Sequence, residues 1–125
     1  MKIAFRILSL LISIFFLVMG FGWIVDPGTA ADAGGMTLLT GLAASTQIGD
    51  IGALFLSVGF FAAFGQLPGR SHWFLASAFI LATVAVMRTL AWGLGYADFA
   101  LPSVVGEVVF TTILVMAARL RENEG

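Results

Sequence analysis

The stretch Trp73 to Tyr96, WFLASAFILATVAVMRTLAWGLGY, decides how this chain is read. It is long and apolar enough to span a bilayer, for which about 20 predominantly apolar residues suffice, yet it holds one arginine, Arg88. An ionisable side chain inside a membrane span is costly to bury and is by default a functional-site hypothesis that needs a named partner. Asp50 and Glu107, each inside another apolar segment, are the two acids that qualify.

Composition agrees with this reading. The 125 residues are 60% hydrophobic and 10% charged, with a mean hydropathy of +1.06, whereas soluble domains carry about 25% charged residues. Such a chain cannot cover a water-facing surface. The expected fold is all-α: a single integral membrane domain over 1–125, a four-helix antiparallel bundle with spans at about 3–25, 46–66, 72–95 and 102–120.

Several function classes are excluded. Net charge is -1 and the six basic residues are dispersed, so no patch exists to neutralise a phosphate backbone, and nucleic acid is not an expected partner. Cysteine is absent and His72 is the only histidine, which removes disulfides, thiolate chemistry and the ordinary ligand sets of zinc or haem. No cofactor or metal is expected. The sequence contains no phosphate loop, dinucleotide fingerprint, metalloprotease spacing or Ser/His/Asp set.

Working outward from the third segment, each boundary has a local cause. Lys2 and Arg6 precede the first apolar run, which is too long for the roughly 7–15-residue core of a secretory signal and reads as a retained span. Ser9 and Ser13, four apart, give that helix a small face for close packing. Asp26-Pro27-Gly28 stops it, because proline disfavours helical geometry in the residue before it. In the connection that follows, Ala30–Ala33 and Met36–Leu42 are apolar enough for a short helix lying on the bilayer. Ser45 or Thr46 is the expected N-cap of the second span. Leu67-Pro68-Gly69-Arg70-Ser71 is a compact turn that makes spans two and three a hairpin. Pro102 suits the first turn of the fourth span.

Basic residues fall at the N-terminus, at Arg70 and at Arg119 and Arg121, and the other two connections have none. The positive-inside rule therefore predicts cytoplasmic termini and a cytoplasmic middle turn. Trp23, Trp92 and Tyr96 then fall near the outer interface and Trp73 near the inner one, where amphipathic rings prefer to sit.

At a rise of about 1.5 Å per residue, Asp50 is expected roughly 5 Å, Glu107 roughly 7 Å and Arg88 roughly 12 Å below the outer ends of their helices. The expectation is a layer in which Arg88 bridges both carboxylates, each charge offsetting the desolvation of the others. Gln47 and Trp92, with Thr46, Thr89 and Ser103, would complete a polar pocket open to the outer side. The ligand-binding set expected is thus Asp50, Arg88, Glu107, Gln47 and Trp92, with Glu107 favoured over Asp50 as a proton carrier. The same trio also reads as a purely structural ion network that fixes helix order. The pairs Phe15-Phe16 and Phe60-Phe61 read as lipid-facing or packing groups.

In order and spacing, Gly20-x-Gly22-Trp23-x-x-Asp26-Pro27, Asp50-Ile51-Gly52-Ala53-Leu54-Phe55 with Gly59, Arg88 and Glu107 resemble a family of small bacterial four-span membrane proteins known as a domain of unknown function. The resemblance covers nearly the whole chain. It implies fold, topology and residence in the bacterial inner membrane, and it implies no activity. Where the family often has a basic residue before the small-residue stretch of span two, this chain has Thr46-Gln47. A weaker similarity in size and topology to DoxX-like four-span proteins would imply a small membrane subunit of a redox assembly.

Three functions are thus open from the sequence. The first is a non-enzymatic binding or accessory subunit with an outer-leaflet polar pocket. The second is a proton-coupled carrier or membrane enzyme, for which four short helices would need a homo-oligomer. The third is a structural subunit of a larger membrane complex. The bilayer is the one partner common to all three.

Overall fold

The computed structural model of the chain describes residues 1–122. It contains five helices: α1 (Lys2–Val25), α2 (Pro27–Ala33), α3 (Gly41–Phe64), α4 (His72–Gly93) and α5 (Leu101–Glu122). Four of them, all but the seven-residue α2, are long and apolar enough to cross a membrane. Helices α1, α3, α4 and α5 pack in that order around a ring, each antiparallel to its neighbours, and α2 folds against α1. Two ends of the bundle can thus be named: the α2 end, with the 26–40 and 94–100 connections, and the termini end.

Pro27 explains the break after α1. It pushes Asp26 out of helical geometry (φ -147°, ψ 77°), and Asp26 then caps α2, its carboxylate accepting from the backbone N–H and the hydroxyl of Thr29. Those two hydrogen bonds, the side-chain one first, hold the Asp26 carboxyl below its ordinary pKa. Of the short-helix expectation, the Ala30–Ala33 portion is helical within α2, where Ala30 and Ala31 are buried with Trp23. The Met36–Leu42 portion is irregular up to Thr40.

The start of α3 differs from expectation. The helix begins at Gly41, with Thr40 as N-cap in extended geometry, and Ser45 and Thr46 lie inside it. Leu42-Ala43-Ala44 are strong helix formers with nothing to stop them. Gly41, at φ 61°, supplies the left-handed entry that other residues resist. The remaining span boundaries fall within two residues of the sequence reading.

The tightest seam joins α1 to α3. A Cβ on Gly59 would lie 2.9 Å from the Leu17 backbone nitrogen, and one on Gly20 3.0 Å from that of Leu56, so these backbones touch only because glycine stands there. The Ser13 hydroxyl donates across the seam to the Gly59 carbonyl (2.8 Å), and the Ser77 hydroxyl of α4 donates to the adjacent Val58 carbonyl (2.6 Å). Helix α3 is thereby tied from both sides at one level. The main core surrounds this level and the termini end, with Ile12, Phe16, Val58, Phe74, Leu81 and Leu114 buried together.

Toward the α2 end the packing changes. Helix α1 keeps a buried stripe from Ser9 to Trp23. The buried residues of α4 stop at Ala85, and none from Val86 to Gly93 is buried. On α3, likewise, none from Gly41 to Ile51 is buried. Glycine draws α3 onto α1, while the α2-end part of α4 carries no buried residue.

Candidate functional site

Arg88 lies five residues before the end of α4 and Glu107 six residues after the start of α5. At about 1.5 Å per residue both sit roughly 8–9 Å inside the α2 end, so adjacent antiparallel helices bring them to one level. They form an ion pair in which Arg88 Nε donates to Glu107 Oε1 at 2.6 Å. The partners differ in environment. The Glu107 side chain is 11% exposed and that of Arg88 44%.

Glu107 is only half satisfied. Its Oε2 is buried and has no hydrogen-bond partner among the described residues. A buried polar atom without a partner costs about 1–3 kcal/mol, more when the group is charged, and such atoms are few in native proteins. Glu107 itself lines a cavity.

That cavity, about 220 Å³, is bounded by all four long helices. Phe15 and Phe16 come from α1, and Leu54, Phe55 and Val58 from α3. Leu81, Val84 and Arg88 come from α4, and Ser103, Gly106, Glu107 and Phe110 from α5. The aromatic groups lock one another in place: Phe16 meets Phe15 and Phe110 edge-on at 5.2 and 5.7 Å and Phe55 at 5.7 Å. The result is an apolar chamber with an ion pair and one serine on its wall, the form that small-molecule sites usually take.

The bridging role expected of Arg88 does not form. Asp50 is exposed, makes no salt bridge among the described residues and is not on the cavity wall. It does share a helical stripe with Leu54 and Val58, which line the cavity, one turn beyond them. The physical reason for the separation is the α1–α3 seam. At the α2 end α3 follows α1 through Gly52, whose Cβ position lies 3.3 Å from Trp23 Cβ, and leaves α4. Asp50 and Glu107 each lie four residues after a polar residue, Thr46 and Ser103, but α3 begins at Gly41 and α5 at Leu101, so the two acids are not at equivalent helix positions.

Gln47 and Trp92 are engaged elsewhere. The Gln47 amide straps the connection before α3: its Oε1 accepts from Leu39 N–H at 2.9 Å and its Nε2 donates to the Thr37 carbonyl at 3.2 Å. Trp92 packs on Phe99 with ring centroids 4.9 Å apart. Thr89 and Thr46 return their hydroxyls to carbonyls of their own helices, Ala85 and Leu42. Of the polar neighbours expected from sequence, Ser103 alone lines the cavity.

The apolar wall was missed. Phe15-Phe16 reads from sequence as lipid-facing or packing groups, which agrees with Phe15 at 48% exposed and Phe16 at 5%; what that reading lacked is that both also line the cavity. A signal existed, since Ser9, Ser13, Phe16 and Gly20 recur at helical spacing and mark the buried stripe of α1. Among the described residues no group of three or more His, Cys, Asp or Glu is placed to hold a metal. Comparison with protein-family models, with curated proteins and with solved structures finds no match for this chain.

Proposed function

We propose that this chain is a four-span protein of the bacterial inner membrane, with cytoplasmic termini, that serves as a small binding or accessory subunit. The observation that carries this reading is the cavity of about 220 Å³ between the four helices, with a buried, half-satisfied carboxylate on its wall. A purely structural ion pair needs no chamber beside it. The orientation rests on Lys2, Arg6, Arg70, Arg119 and Arg121, all near the termini end, while the connections at the α2 end hold Asp26, Asp32 and Asp98 and no basic residue.

In that orientation the polar part of the wall, Arg88, Ser103 and Glu107, lies toward the outer ends of α4 and α5. The ligand enters from that side and rests on the phenylalanine wall, with its polar end toward Arg88 and Glu107. Gly106 gives a clean test, because a Cβ there meets nothing within 4 Å and the residue lines the cavity. Gly106→Leu should fill the chamber and, on an interior helical position, leave the fold intact. Native mass spectrometry of protein purified in nanodiscs should report a hydrophobic small molecule bound to the wild type and lost from Gly106→Leu. An adduct spectrum identical in the two proteins would refute the binding-subunit reading.

A further inference from the structure

Resting on that binding reading, we infer that the cavity's occupant is an uncharged, apolar molecule with a hydroxyl head, and that the hydroxyl donates to Glu107. The argument begins with the carboxylate. Glu107 is 8% exposed, its Oε1 holds Arg88, and its Oε2 lacks any donor among the described residues. Rotation about the terminal torsion of a glutamate meets no sharp staggered wells, so a modest turn presents Oε2 to the chamber that Glu107 lines. The missing group is therefore a hydrogen-bond donor at the end of the chamber nearest the α2 end.

The charge of that donor follows from its neighbours. Arg88 and Glu107 already neutralise each other, and the remaining wall is apolar except for Ser103. A carboxylate head supplies no donor and would face the unpaired oxygen of another carboxylate. A cationic head supplies one but would sit beside the guanidinium. Either would also lose its hydration in a largely apolar chamber, which is far more costly for an ion than for a hydroxyl. A neutral hydroxyl meets both demands, and its own oxygen can accept from the guanidinium nitrogens of Arg88.

The body of the ligand is set by the opposite wall. Phe16, Phe55, Phe110, Leu54 and Leu81 offer no hydrogen-bonding side-chain atom, and they accept equally an alkyl chain or a flat ring. Two sources share this chemistry: a hydroxyl-headed lipid, and a small phenol-headed molecule dissolved in the bilayer.

The test uses the full chain in nanodiscs and native mass spectrometry titrations with six probes of matched alkyl length. These are a straight-chain alkanol, an alkylphenol, the methyl ether of each, a fatty acid and an alkylamine. In the wild type the alkanol or the alkylphenol should bind at least tenfold more tightly than its methyl ether, because a site with a buried polar group rejects the analogue that leaves it unpaired. Whichever of the two is preferred identifies the source. In Glu107→Gln the amide presents a donor as well as an acceptor, and the hydroxyl-over-ether preference should collapse to about twofold or less. Equal binding of hydroxyl and ether by the wild type, with both abolished in Gly106→Leu, would overturn the hydroxyl assignment and leave the binding reading standing. So would tighter binding of the fatty acid or the amine. Absence of any Gly106-dependent binding would overturn both. The wild-type contrast alone decides the matter if Glu107→Gln does not fold.

Discussion

Gly59→Ala changes one hydrogen to a methyl group at the closest approach of α1 and α3. Built on the existing backbone, the new Cβ lies 2.8 Å from Leu17 Cγ and 2.9 Å from Leu17 N. The side-chain contact can be relieved by rotating Leu17, but the backbone contact can be relieved only by parting the helices. Restoring an ordinary contact of about 3.5 Å requires a separation of roughly 0.6 Å. Overpacking of this kind costs about 1–3 kcal/mol. Parting the seam also stretches the Ser13 bond to the Gly59 carbonyl, a class of interhelical bond worth about 0.6 kcal/mol. Against this, alanine is favoured over glycine inside a helix by about 0.8–1.0 kcal/mol. The balance is a loss of roughly 0.6–2.8 kcal/mol from these terms together. Gly49, ten residues earlier on α3, provides the control, since a Cβ there meets nothing within 4 Å. Gly49→Ala should be neutral or stabilising by up to about 1 kcal/mol, from helix propensity alone. Reversible unfolding by increasing SDS in mixed micelles, followed by circular dichroism, measures both. Equal losses from the two substitutions would refute the seam, because they would show that helical glycines here act through propensity or lipid contact instead.

Two further outcomes follow from the hydrogen bonds. Ser77→Ala removes a buried interhelical bond to Val58 and should destabilise by about 0.6 kcal/mol and at most about 1.7 in the same unfolding assay; Thr83→Ala, which removes an exposed bond within α4, should change stability by less than about 0.5 kcal/mol. Because Thr29 holds the Asp26 carboxyl below its ordinary value, the folded state gains stability that is complete above the unfolded carboxylate range, about pH 3.9, and fades as pH falls through the lower folded value. Thermal scans of the wild type and Asp26→Ala should thus differ at about pH 6 and converge in acid. A gap independent of pH would refute the cap.

Much of this protein was legible in order. The four long apolar helices follow from hydropathy and length, the stops from Pro27 and from the Leu67–Ser71 turn, and Glu107 as one of two candidate partners of Arg88 from the depth each has on its helix. Each of these depends on near neighbours in sequence or on the fixed rise of a helix, so the residues themselves carry the information. The N-terminus of α3 was less legible, because a polar N-cap candidate competes with the helix-forming run Leu42-Ala43-Ala44 before it.

The sequence alone determined that four apolar helices form and that Arg88 needs an acidic partner, with Asp50 and Glu107 as the two candidates, because bilayer length, helix propensity and the cost of a lone charge are local constraints. Only the tertiary structure decided that Asp50 stands apart, that Gln47 serves a loop and that Phe15 and Phe16 face a chamber. Those outcomes depend on how far α3 stands from α4. That separation follows from glycines on α1 and α3 that hold those two backbones in contact, a relation between helices that no window of sequence contains.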